Sequence, residues 1–168
     1  MPYPPSFILV LGLDGDLQCS KKIKQSRTQI KKRALILNAA ERVFARYGFS
    51  GSRLKEIAKE AGLPKANILY YYKSKEALYR YVCQDILENW LSAIGDISES
   101  SEPSEALRNY IEAKMELSMR RPNASRVFAM EIISGAPVIG DYLANELKSW
   151  VDNHVQIFQV WQKRGQLA

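Results

Sequence analysis

The feature that most constrains this chain is a tight turn between two short apolar stripes, in "LKEIAKEAGLPKANILYYY" over residues 54–72. Leu54, Ile57, Ala58 and Ala61 recur at steps of three and four, which places them on one face of a short helix. Gly62 supplies the left-handed conformation that ends such a helix, and Pro64 suits the first turn of the next. Two short helices joined by a glycine turn form a helix-turn-helix. Ser52 is the expected N-cap of the first helix; Lys55 stands where the reciprocal acid of a capping box belongs, although Glu56 is close.

The second short helix carries Tyr70, Tyr71 and Tyr72 in a row. Successive residues step about 100° around a helix axis, so three adjacent rings cannot all face one core. With Asn67 at the origin, Ile68, Leu69 and Tyr72 fall on the inward side, whereas Ala66, Tyr70 and Tyr71 fall outward. Ser74 is placed to cap a following helix through Leu78, Tyr81, Val82, Ile86 and Leu87 to about Ile97.

Upstream, Ile30, Ala34, Leu37, Ala40, Phe44 and Tyr47 mark a helix from Ser26 to Tyr47, broken by Gly48 and Gly51. Downstream, the polar stretch from Gly95 to Pro103 connects to a helix with a Leu107, Ile111, Met115 face. Another follows from "PNASRVFAMEIIS", ended by Gly135, and then a long one from Pro137 to Arg164. No β hairpin is apparent. The expected fold is all-α, with a three-helix head joined to a helical body. The expected divisions are a flexible tail over 1–25, a helix-turn-helix domain over 26–73 and a helical domain over 74–168.

Charge divides along the same line. Residues 21–80 hold 16 Lys or Arg against 4 Asp or Glu, whereas residues 81–168 hold 8 against 12. A basic segment beside a mildly acidic one is the footprint of a polyanion-binding module on a separate body. Cys19 and Cys83 match no metal or redox spacing, which suits a reduced, cytoplasmic chain. His154 is the only histidine, so His-based metal sites and Ser-His or Cys-His catalysis are disfavoured. No enzyme, no cofactor and no metal is expected. The apolar run from Phe7 to Leu13 is far shorter than the roughly 20 residues that span a bilayer.

The segment "GFSGSRLKEIAKEAGLPKANILYYYKSKEALYRYV" closely resembles the DNA-binding domain of TetR-type transcriptional repressors. The glycine before the first short helix, the "IA…AG" core and the "YY-aromatic-K-S-K-E-A-L" ending carry the likeness. In the body, "ILENWLSAI", "LRNYIEAKMELS" and "ASRVFAMEIISGAP" resemble the pyrimidine-utilisation repressors of that family, whose effectors are uracil and thymine.

The resemblance implies a dimeric repressor that binds a palindromic double-stranded DNA operator and is released by a small effector. Lys65, Ala66, Asn67 and Tyr71 then stand where the second helix meets the major groove. There lysine can donate to guanine, asparagine can pair with adenine and alanine can touch a thymine methyl. By the family pattern Lys55 also reaches base edges. Ser52, Tyr70, Lys73 and Lys75 occupy phosphate-contacting positions, and Arg53 is available beside them.

For the effector, Trp90, Arg126, Glu131, Tyr142 and Trp150 are candidates, since a flat heterocycle wants an aromatic platform and a few fixed hydrogen-bond partners. Packing is the plainer reading of each aromatic, and an ion pair with Arg126 is the plainer reading of Glu131. An apolar or drug-like effector, or a DNA-binding protein with no ligand, are the alternatives. Family members run longer than this chain, their last two helices forming the dimer interface, so the homodimer expected of the family is doubtful here.

Overall fold

The computed structural model describes residues 27–92 and 97–167, so the expected tail lies outside the described residues, as does part of the expected connector. All regular structure among the described residues is helical. They fall into two compact units, one ending at Leu78 and the other beginning at Tyr79.

In the first unit, α1 (Arg27–Gly51) buries Ile36, Leu37, Ala39, Ala40, Val43, Phe44 and Ala45. The apolar stripe runs as expected through Leu37, Ala40 and Phe44 but stops short of Tyr47, which is 49% exposed. Gly48 explains the stop: its φ of 68° and ψ of 179° break the helix, leaving residues 49–51 as a separate turn.

α2 (Leu54–Ala61) begins one residue later than the sequence suggests. Arg53 is the N-cap, so Glu56 falls on the third helical position and its carboxylate accepts the Arg53 N–H at 3.0 Å. The acid that seemed to be missing is supplied by this one-residue shift. Ser52 is instead buried, its hydroxyl donating to the Phe49 carbonyl at 2.9 Å.

Gly62 adopts the left-handed conformation at φ 64°, and the Leu63 N–H donates to the Ala58 carbonyl. Pro64 then leads into α3 (Lys65–Tyr72). α2 packs on α1, and α3 on α2. Ile36, Phe44, Ile57, Ile68 and Leu78 are wholly buried at their junction. Each large apolar side chain buried in this way contributes about 1.5–3 kcal/mol. The Ser74 hydroxyl accepts the Ala77 N–H at 3.0 Å, capping α4 (Lys75–Ser92) as the sequence suggests.

In the second unit the Glu102 carboxylate caps α5 (Pro103–Arg120) by accepting the Glu105 N–H, and Pro103 occupies the first turn. Pro103 is the only residue of α5 that is buried; Ile111 and Met115, expected on its inward face, are 54% and 60% exposed. α6 (Pro122–Ile133) packs on α5 and ends as expected in Gly135, at φ 84°. The long helix expected over 137–164 is not uniform. α7 (Gly140–Tyr142) runs through a π-helical stretch, Leu143–Leu147, into α8 (Lys148–Lys163). Val82, Cys83, Ile86, Val127, Ile139 and Trp161 are wholly buried. No helix among the described residues is long and apolar enough to cross a membrane.

Candidate nucleic-acid interface

The turn at Gly62 holds α3 against α2 by its inner face alone: Ile68 is fully buried and Tyr72 is 3% exposed. The opposite face is left to solvent. Lys65 and Ala66 are exposed, Asn67 and Tyr71 are half-buried, and Tyr70 is 74% exposed. The helical-wheel division of the three tyrosines therefore holds, with the Tyr70 and Tyr71 rings meeting edge to face at 5.1 Å. Leu69, expected inward, is 39% exposed. The side chains suited to base edges, Lys65, Ala66 and Asn67, lie on the first turn of α3, and Lys55 is exposed on α2.

The expected phosphate contacts fare differently. Arg53 and Lys73 are exposed. Lys73 has φ 59°, its N–H closes α3 on the Leu69 carbonyl, and the next N–H, of Ser74, donates to the Tyr72 carbonyl. This is a γ-turn with positive φ at a residue bearing a Cβ, a conformation that costs about 1–3 kcal/mol.

Lys75 is half-buried and anchored to the backbone. Its ammonium donates to the Phe49 carbonyl at 2.7 Å and the Ser52 carbonyl at 3.1 Å, and lies 4.4 Å from the Phe49 ring centroid. Two of its three donors thus close the 49–52 segment. Ser52 points its hydrogen at the same carbonyl, so this pair holds the start of α2. What remains for an anion there is the set of first-turn amides that every α-helix leaves without an internal acceptor.

One basic side chain escaped the sequence reading. Arg33, within the "KKR" run of α1, sets its guanidinium 6.0 Å from the Tyr71 ring centroid and 5.9 Å from that of Tyr72. Nothing in a lysine- and arginine-rich run marks one member as the one that reaches α3. Arg42, by contrast, is neutralised by Glu60 at 2.6 Å.

In the second unit the five effector candidates make different contacts. The Trp90 ring meets Phe128 edge-on at 4.9 Å, and Arg126 is exposed. Glu131 is 2% exposed and makes no ion pair with Arg126; it accepts the backbone N–H groups of Val138 at 2.7 Å and Ile139 at 3.1 Å. It thereby fixes the turn at Gly135 and Ala136, both at positive φ. Tyr142 donates to Glu88 at 3.3 Å.

Trp150 lines a cavity. It stacks on His154 at 3.7 Å beside a space of about 140 Å³ walled also by Leu107, Tyr110, Val155 and Phe158. His154 spends Nδ1 on the Trp150 carbonyl, so the wall is almost entirely carbon.

Burial raises the pKa of the Cys83 thiol to about 12, the nearby Glu131 adding to it. Burial likewise raises the Tyr79 phenol, with Cys83 and then Glu131 contributing. Neither group is poised to ionise near neutral pH. Among the described residues no cluster of His, Cys, Asp and Glu could hold a metal ion.

Comparison with known proteins agrees with this division. Residues 36–82 match the family model described as bacterial regulatory proteins, tetR family, and residues 83–168 match the YcdC-like protein C-terminal region. The chain is 43% identical over 145 residues to the HTH-type transcriptional regulator RutR of Escherichia coli O157:H7, covering 86% of this chain and 68% of that protein. A TetR family transcription regulator from Marinobacter aquaeolei VT8 superposes with a TM-score of 0.70 at 25% identity, over 83% of this chain and 73% of that one. A TetR-like regulator from Rhodococcus sp. RHA1 shares the fold at a TM-score of 0.65 and 22% identity, over 80% of this chain and 73% of that one.

Proposed function

The chain belongs to the tetR family of bacterial regulatory proteins, and from that premise we propose how its own residues read an operator and sense an effector. It is a helix-turn-helix transcriptional regulator. Residues 26–73 form the DNA-binding domain and residues 74–168 the effector-binding and dimerisation domain. Regulators of this family usually form dimers, and two heads then meet half-sites about one helical turn or more apart.

In this reading α3 enters the major groove. Lys65 donates to guanine O6 or N7, Asn67 pairs with adenine N6 and N7, Ala66 meets a thymine methyl, and Tyr71 flanks them. Lys55 reaches base edges from α2. Tyr70, Arg53, Lys73 and the first-turn amides of α2 hold phosphates, and Lys75 and Ser52 support those amides from behind. The observation that carries the reading is the solvent-facing Lys65 and Ala66 on a helix held to the core by the buried Ile68 and Tyr72.

Binding assays on duplexes selected by the protein itself test it. Asn67→Ala should cost about 1–3 kcal/mol, concentrated at one base position. Equal losses on selected and random duplexes would remove Asn67 from base reading.

The effector is a small, flat molecule held by the cavity at Trp150 and His154. A space near 140 Å³ suits one ring: an apolar cavity of about 150 Å³ holds benzene. The carbon walls favour an apolar aromatic, because a buried polar group without a partner costs about 2–7 kcal/mol. The second reading, a pyrimidine such as uracil or thymine, is supported by the identity to RutR; it requires Tyr110 and the remaining His154 nitrogen to serve the ring's polar edge. The presence of a cavity speaks against a DNA-binding protein with no ligand.

The effector acts by population shift, favouring an arrangement in which the two heads no longer match the groove. Thermal-shift measurements with indole, toluene, uracil and thymine separate the readings. Stabilisation by the apolar pair that is lost in Trp150→Ala supports the first; stabilisation by uracil or thymine alone replaces it with the second.

A further inference from the structure

Most cationic side chains of the first unit either reach into solvent or are matched by an acid or a carbonyl. Arg33 is neither. It is half-buried, it lies about 6 Å from two ring centroids on the DNA-reading helix, and among the described residues no carboxylate pairs with it. Six ångströms is the outer range for a cation–π contact, so the two rings orient the guanidinium more than they neutralise it. Its five N–H donors keep their fork geometry, which fits two oxygens of one phosphate. One of its two rings is Tyr71, on the exposed side of α3, and the Tyr71 ring in turn meets Tyr70 edge-on.

We propose that Arg33 is a phosphate-binding residue of the DNA interface, held ready by Tyr71 and Tyr72 so that α1 and α3 clamp the same stretch of backbone. The role has two parts. The guanidinium neutralises a phosphate, which adds affinity without sequence preference and releases counterions. Its place beside the Tyr71 and Tyr72 rings also helps to set the angle at which α3 presents Lys65 and Asn67. Lysine at this position would keep the charge but not the planar fork. The inference rests on the DNA-binding function, and the test separates the two.

Fluorescence anisotropy should be measured on the full chain, with a duplex selected by the wild type and with a scrambled duplex, across a sodium chloride series. Arg33→Ala is expected to bind both duplexes about tenfold more weakly at low salt. Its plot of log affinity against log salt should be shallower than the wild type's by about 1. Arg33→Lys should restore the slope but only part of the affinity for the selected duplex. Arg33→Gln, closer in size, replaces Arg33→Ala if the alanine variant shows altered circular dichroism. A neutral variant with an unchanged salt slope would overturn the phosphate role, and full recovery by lysine would overturn the role of the fork. Absence of wild-type binding to either duplex would instead overturn the DNA-binding function.

Discussion

The two units solve the same problem, holding short helices together, with different chemistry. The first relies on carbon: Ile36, Phe44, Ile57, Ile68 and Leu78 are all wholly buried, and of its long-range polar contacts Lys75 to the 49–52 carbonyls is only part-buried and Arg42 to Glu60 is exposed. The second carries its key polar contact inside. Glu131 is buried with Tyr79 and Cys83 near it, and it holds two backbone N–H groups of a turn that has two successive positive φ angles. Meanwhile α5 leaves Ile111, Met115 and Met119 at 54%, 60% and 74% exposure. A DNA-reading head must present the same surface every time, which dense apolar packing provides. The body instead holds one of its turns by a single buried carboxylate.

This contrast can be broken most directly in the cores. Phe44→Ala should destabilise the first unit by about 3–5 kcal/mol, whereas Ile111→Ala should change the second by no more than about 0.5 kcal/mol. All three tryptophans, Trp90, Trp150 and Trp161, lie in the second unit. In urea titrations tryptophan fluorescence therefore follows the second unit alone, whereas circular dichroism follows the helices of both units. A Phe44→Ala transition that moves equally in both signals would show that they unfold as one.

Next in size, Glu131→Ala should cost about 2–5 kcal/mol in the fluorescence transition, because two buried N–H groups lose their acceptor. Glu131→Gln keeps one oxygen and should cost less. Equal losses would mean that charge, not hydrogen bonding, anchors the turn.

A smaller effect is expected from Glu56→Ala, about 1 kcal/mol in the dichroism transition, since it removes the carboxylate that satisfies the Arg53 N–H. Ser52→Ala tests the rival placement of the cap and should act through the Phe49 carbonyl contact alone.

Smallest is a pH effect in the body. Burial raises the Glu88 carboxyl above its ordinary range, against a weaker lowering by the Tyr142 hydroxyl. The folded state then binds the proton more tightly than the unfolded one. Stability is greatest below the ordinary carboxylate pKa and declines as pH rises through the raised folded value. Glu88→Gln should flatten that decline, with changes in Tm under about 3 °C between weakly acidic and neutral buffers.

Much of the head was legible in the sequence because its signals are local. Gly62 fixes a turn, Pro64 starts a helix, Ser74 caps one, and the wheel position of Tyr70 and Tyr72 follows from counting residues. The cap at Arg53 was missed by one residue because the choice between Ser52 and Arg53 depends on where Phe49 lies, and Gly48 decides that through a backbone kink. The carbonyl contacts of Lys75 and the ring contacts of Arg33 were not legible for a related reason: their partners are 26 and about 40 residues away, and a charge run does not say which lysine or arginine reaches a carbonyl or a ring. In the body the helices were found, and the stripe through Val82, Ile86 and Leu87 is buried, but the inward face expected of α5 is exposed. The 3.6-residue stripe on α5 is real, yet a stripe shows only that a face is apolar, not that it is covered. The effector candidates were chosen by residue type, and type could not distinguish Glu131 as a turn anchor from Glu131 as a ligand contact.

The π-helical stretch at Leu143–Leu147 has a consequence for how this body tolerates change. A π turn holds one more residue than an α turn over nearly the same rise, so it works as a one-residue insertion absorbed without a loop. Every side chain beyond it is rotated by about 100° from where an unbroken α-helix would have set it. The buried position of Trp161 and the cavity-facing positions of Trp150, His154 and Phe158 all lie downstream of that offset. In this segment the chain's length encodes which side of α8 is the inside, and a single deletion there would swing its faces by about 100° while leaving its helicity intact.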